Sequence, residues 1–104
     1  MNLHHWPAQE RPREKLLAQG AQALSDAELL ALLLGGSGVR GSNVVDLART
    51  LLVTHRSLRE LLNADRAVLL AARGLGVVGY CRMRAALELA RRHYAEAMRC
   101  GPLL

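Results

Sequence analysis

Ser25-Asp26-Ala27-Glu28 stands directly before the run Leu29-Leu30-Ala31-Leu32-Leu33-Leu34, and this junction constrains the fold more than any other feature of the sequence. A serine at the N-cap accepts a hydrogen bond from a first-turn N–H, and a glutamate three residues on accepts one from the N-cap backbone. Leu24 before the cap and Leu29 after it are placed to clasp the helix entry as a hydrophobic staple. The helix that follows is apolar on nearly every side, which predicts a central, buried position. Gly35-Gly36-Ser37-Gly38 stops it. The run is far shorter than the roughly 20 apolar residues that cross a bilayer, so no membrane partner is expected.

The same punctuation recurs along the chain. Pro12 suits a first helical position, where its missing N–H is no loss, and a short helix from Arg11 to Gln19 ends at Gly20. Asn43 is the predicted cap of a third helix, on which Val44, Leu47, Ala48, Leu51 and Leu52 repeat at the helical period. Ser57 and Glu60 form a second capping box before Leu58, Leu61 and Leu62. Asp65 is the predicted cap of a fifth helix with Val68 and Leu69 inward. A long last helix, residues 77–99, carries the stripe Tyr80, Met83, Leu87, Ala90, Tyr94 and Ala97, spaced three and four apart. Its solvent side offers the i,i+4 pairs Arg84/Glu88, Glu88/Arg92 and Arg92/Glu96.

Strand formers are scarce: the chain has no Phe, one Trp and two Tyr, so Leu and Ala carry the apolar content. The expected fold is all-α, a compact bundle of about five to six helices with a long C-terminal helix, occupying residues 1–99 as one domain. Cys100-Gly101-Pro102 reads as a helix stop, and residues 100–104 as the start of a linker. Trp6 is expected to anchor the N-terminal arm, and Tyr80 and Tyr94 to lie in the core. Arg11, Arg13 and Lys15 are offset by Glu10 and Glu14 and read as a solvated face.

Several classes of chemistry find no support. Cys81 and Cys100 suggest neither a disulfide framework nor a zinc site, and free thiols suit a reducing cytoplasm. Cys81 has no catalytic base near it in sequence and reads as structural. His4 and His5 are adjacent and cannot share a helix face, while His55 and His93 stand alone, so no metal or other cofactor is expected. Ser37 lies in a glycine-rich loop that no Gly-Lys-Ser/Thr completes. The N-terminus lacks a signal-peptide pattern, and a cytoplasmic location is expected.

Net charge is +5, and the whole excess lies in residues 66–104. Such asymmetry fits a polyanionic partner, or an arginine-rich face that merely solubilises a long helix. The stretch Leu69-Leu70-Ala71-Ala72-Arg73-Gly74-Leu75-Gly76-Val77-Val78-Gly79 decides where such a partner would bind. Its glycines match the spacing of a dinucleotide-binding fingerprint, but that motif follows a strand, and here a capped helix precedes. The segment reads instead as a helix-hairpin-helix. Glycine allows the tight backbone between two packed helices, and Leu75 plugs the space between them. The unpaired N–H groups of Gly76, Val77, Val78 and Gly79 open the last helix at the positive end of its dipole, a position suited to a phosphate oxygen. Arg73, Arg82 and Arg84 are near enough in sequence to add phosphate contacts, which position a backbone without reading bases. The alternative is an interhelical turn that binds nothing.

Residues 5–93 resemble, in order, the N-terminal part of RadC-like proteins, bacterial proteins labelled as DNA repair proteins. The likeness rests on Trp6-Pro7-Ala8-Gln9-Glu10-Arg11-Pro12-Arg13-Glu14-Lys15-Leu16-Leu17, on Leu24-Ser25-Asp26-Ala27-Glu28-Leu29-Leu30-Ala31, and on Asp46-Leu47-Ala48-Arg49. It continues through Leu61-Leu62-Asn63-Ala64 and Ala85-Ala86-Leu87-Glu88-Leu89-Ala90-Arg91-Arg92. The resemblance implies a helical domain with a helix-hairpin-helix, followed in the family by a JAB/MPN domain with a metalloprotease-like zinc motif. On that basis the chain is expected to be a fragment, with zinc and any peptidase activity confined to the absent domain, which would be its partner in cis. The family's hairpin resembles Gly-Ile-Gly-Pro-Ala-Lys-Ala. Here Val77-Val78-Gly79-Tyr80 replaces the last four residues, so the lysine expected at the phosphate is Gly79.

The leading expectation is a non-catalytic module that contacts DNA backbone through the hairpin and the arginine-rich last helix. The alternative is a protein-interaction domain that holds or regulates the JAB/MPN domain. A nuclease or glycosylase role has little behind it, because no carboxylate pair flanks the hairpin and Asp65 is better used as a cap.

Overall fold

A computed structural model describes residues 11–35 and 44–100. Six α-helices and one 3-10 turn make up the described residues, with no strand among them. Helix α1 spans Pro12–Gln19, with Pro12 at its first position and Gly20 at its end. The 3-10 turn Ala21–Ala23 leads into α2, Asp26–Leu34. Both halves of the expected capping box are made: Glu28 N–H donates to Ser25 Oγ at 3.1 Å, and Ser25 N–H donates to Glu28 Oε1 at 2.8 Å.

Glu28 does a second job that its spacing does not announce. Lys15 Nζ of α1 lies 3.2 Å from both carboxylate oxygens, so one side chain fixes the start of α2 and ties α1 to it. The backbone N–H of Ser25, above all, holds the Glu28 carboxyl below its usual range, with Lys15 adding to the effect. Lys15 therefore belongs to an interhelical bridge and not to a solvated face.

Helix α2 is the central element, packed against α1, α3 and α6, and it buries Ala27, Leu30, Ala31 and Leu34. Leu24 is buried beside its start, whereas Leu29 is 39% exposed, so the staple is lopsided. Helix α3, Val44–His55, turns Val44, Val45, Ala48 and Leu51 inward. Arg56 follows it at φ 71, a left-handed position taken without glycine. Helix α4, Leu58–Leu62, begins with Glu60 N–H donating to Ser57 Oγ at 3.1 Å, the half of the second box that is realised. Helix α5, Arg66–Ala71, has Asp65 at its N-cap, but the carboxylate makes no capping hydrogen bond. Leu69 is buried as expected; Val68 is not, and stands half exposed. A helix this short turns only one narrow face to its neighbour.

Helix α6 runs from Gly76 to Arg99 and packs its first half against α2, α4 and α5. Met83 is buried and Tyr80 packs at the edge of the core. The stripe then leaves the core: Tyr94 is 66% exposed, correcting its expected burial. Of the expected ion pairs along this helix, Glu88/Arg92 forms at 2.8 Å, and Arg91 joins it at 2.8 Å. Arg84 turns to α4 instead. Trp6, His4, His5, Ser37, Asn43, Gly101 and Pro102, with the expectations attached to them, lie outside the described residues.

Candidate nucleic-acid interface

Between α5 and α6 the chain reverses over Ala72–Leu75. Ala72 N–H donates to Leu69 O at 3.1 Å, and Leu75 N–H donates to Ala72 O at 3.3 Å. Gly74 and Gly76 take φ values of 90° and 71° on either side of Leu75. Only glycine adopts these readily. At Gly74 a Cβ would also crowd Leu47 Cδ1 at 3.2 Å, whereas at Gly76 it would meet nothing within 4 Å. One glycine thus faces the protein and the other faces open space.

Leu75 is 1% exposed, the plug that the sequence predicts. It lies against Gly79, where a Cβ would fall 2.8 Å from Leu75 Cδ1 and 3.4 Å from Leu34 Cδ2. Gly79 is itself buried. This corrects the expectation that Gly79 admits a phosphate: its missing side chain makes room for Leu75, not for a ligand. Leu75 is likewise enclosed and serves as the anchor of the turn.

What remains open is the first turn of α6. Gly76, Val77 and Val78 are exposed, Val77 at 67%. Leu75, at the N-cap, supplies no side-chain capping bond, and the first turn holds no acidic residue. The leading N–H groups of an α-helix have no partner within it, and they sit at the positive end of the dipole. Val77 and Val78 in that turn, and Val68 on α5, are each about half exposed or more, which the sequence does not announce.

The three arginines part company. Arg73 is exposed in the turn and has no ion pair among the described residues. Arg82 reaches back to the end of α2, its Nη1 donating to Gly35 O at 2.6 Å and Leu33 O at 3.3 Å. Arg84 does the same at the end of α4, donating to Leu62 O at 2.6 Å and Ala64 O at 2.5 Å, with Tyr80 Oη 3.2 Å from its Nε. Both guanidinium groups satisfy orphaned C-terminal carbonyls at the negative end of a dipole. Their charge is used inside the fold. No sequence signal marks this, because the carbonyls lie 20 to 49 residues away.

No group of three or more metal-ligating side chains occurs among the described residues, and no helix among them is long and apolar enough to cross a membrane. Cys81 and Cys100 are both exposed.

The sequence model of the family described as UPF0758 N-terminal matches residues 3–81. A UPF0758 protein of Halorhodospira halophila is 53% identical over the whole chain, which covers 46% of that protein. One of Xylella fastidiosa is 54% identical over 97% of the chain and 45% of its own length. One of Pseudomonas entomophila is 57% identical over 94% of the chain and 43% of its own length. The chain therefore spans a little under half the length of these curated relatives. No solved structure matches it. The chain belongs to the UPF0758 N-terminal family.

Proposed function

We propose that this member of the UPF0758 N-terminal family is a non-catalytic module that holds nucleic-acid backbone at the hairpin between α5 and α6, used as a helix-hairpin-helix. The observation that carries the reading is the uncapped, acid-free first turn of a 24-residue helix, exposed at Gly76, Val77 and Val78 beside Arg73. A phosphate oxygen there accepts from main-chain N–H groups at the positive end of the dipole. Gly76 leaves the approach clear, and Gly74 with the buried Leu75 fixes the turn so that little is reorganised on binding. Arg82 and Arg84 contribute by holding α6 to α2 and α4, which sets the direction in which its first turn points. Contacts of this kind read phosphate and not bases. Zinc and peptidase chemistry, implied by the RadC resemblance, belong in this reading to the remainder of the longer family proteins.

Fluorescence anisotropy with labelled single-stranded, duplex and branched DNA over a salt series tests it. Affinity should fall steeply as salt rises, because each phosphate contact releases counterions. Arg73→Glu and Val77→Glu, both at exposed positions, should each weaken binding about tenfold or more at low salt. Affinity that is flat with salt, or that both variants leave intact, contradicts the proposal.

A further inference from the structure

An open apolar groove of about 230 Å³ runs along α6 between α2 and α4. Its walls include Leu29, Leu33, Leu58, Leu62 and Leu87, with Asp26 the one charged residue among those that line it. Arg82 meets the end of α2 at Leu33 and Gly35, and Asp26 lines the same groove as Ala90, so α2 runs antiparallel to α6 with its first residue near the level of Ala90. Beyond that level α6 packs against none of the other helices with which it makes its main contacts among the described residues. Yet Leu87, Ala90, Tyr94 and Met98, spaced three and four apart, stay on one helix face. Tyr94 is 66% and Met98 82% exposed. Among the described residues, one apolar strip therefore begins as the floor of an open groove and ends as an exposed overhang.

We infer that the occupant is a second copy of this chain, the two α6 helices lying antiparallel so that each overhang fills the other copy's groove. A two-fold operation covers both unsatisfied surfaces at once, as a closed pair requires. The seam suits a helical partner: Met83, Leu87, Ala90, Tyr94 and Ala97 alternate steps of four and three, and alanines at two of these positions allow close approach of helix axes. Charge agrees. Asp26 has no ion pair among the described residues, and residues 88–99 that would pass it keep a net positive charge, Arg91, Arg92 and Arg99 standing against Glu96 and against Glu88, which pairs with Arg91 and Arg92. The first turn of α6 lies at the other end of the helix and stays open in such a pair.

Analytical ultracentrifugation of the chain over a concentration series is the test. The expected result is reversible association to twice the 11.4 kDa chain mass. Tyr94→Glu on the overhang and Leu58→Glu on the groove should each weaken it about tenfold or more, since each places a charge in an apolar contact. Val53→Glu, at a 78% exposed position on α3, should leave it unchanged. Circular dichroism checks that each variant folds. Mixing the Tyr94→Glu and Leu58→Glu chains restores one intact overhang-in-groove contact, so the mixture should associate more tightly than either alone. A chain that stays monomeric at high micromolar concentration overturns the inference and leaves the groove to another occupant, such as the remainder of the longer family proteins. A dimer indifferent to both substitutions also overturns it.

Discussion

The two halves of α6 share one residue grammar and do different work. From Gly76 to Ala86 the helix is wedged among α2, α4 and α5, and its arginines, Arg82 and Arg84, reach across to carbonyls of other helices. From Glu88 onward Arg91 and Arg92 turn to the helix's own Glu88, and the apolar stripe faces outward. Spacing is the same in both halves; what differs is whether another helix end lies within reach. An arginine side chain serves whichever acceptor the surrounding packing offers, so charge counted along the sequence overstates the charge free to meet a ligand.

The sharpest way to break the comparison is to empty its buried half. Leu75→Ala removes a side chain that is 1% exposed and should cost about 2–5 kcal/mol in urea denaturation. The same truncation at the exposed Tyr94 should cost the isolated monomer less than about 0.5 kcal/mol. Equal losses at the two positions would erase the distinction between the halves.

Gly79→Ala is the next test, because helix propensity and packing predict opposite signs. Alanine favours the helix by up to about 1 kcal/mol. Against that, its Cβ would sit 2.8 Å from Leu75 Cδ1, and Leu75 is enclosed, so overpacking of about 1–3 kcal/mol should win and the variant should be less stable. A gain in stability would show that Leu75 has room to move and that the turn is not tightly set.

Arg84→Gln sharpens the contrast between the arginines. It loses charge-assisted bonds to Leu62 O and Ala64 O and should cost about 1–2 kcal/mol, whereas Arg91→Gln should cost less than about 0.5 kcal/mol. The smallest effect is a pH response confined to the outer half. Hydrogen bonds from Arg91, and then Arg92, hold the Glu88 carboxyl down to about 2 from an ordinary 4.5. A depressed folded-state value stabilises above the unfolded value and is lost as pH falls through the folded one. Helical signal from residues 88–99 should therefore decline slightly between about pH 4.5 and 2. Glu88→Gln should abolish that decline.

Much of the architecture was legible because its signals are local. Pro12, Ser25 with Glu28, Ser57 and the Gly74-Leu75-Gly76 turn act on backbone groups within a few residues, so the sequence displays both partners. Where the partner is distant, the sequence carries no such signal. Lys15 meets Glu28 across an interhelical gap, and Arg82 meets Gly35 across 47 residues. Helix α3 gives way at Arg56, a left-handed position where glycine is the usual signal. The stripe on α6 outruns the core because periodicity gives the direction of a face and not the depth of the core behind it. For Gly79 the motif fixes the position in the turn, while only the packing of Leu75 shows which way a Cβ there would point.

Under the proposed function the two halves of α6 are rival surfaces for DNA, which backbone amide NMR titration with a short duplex separates directly. Shifts should concentrate at Arg73 and at Gly76, Val77 and Val78, and fade as salt is raised. Shifts concentrated from Arg91 to Arg99, with the hairpin amides unmoved, would contradict it.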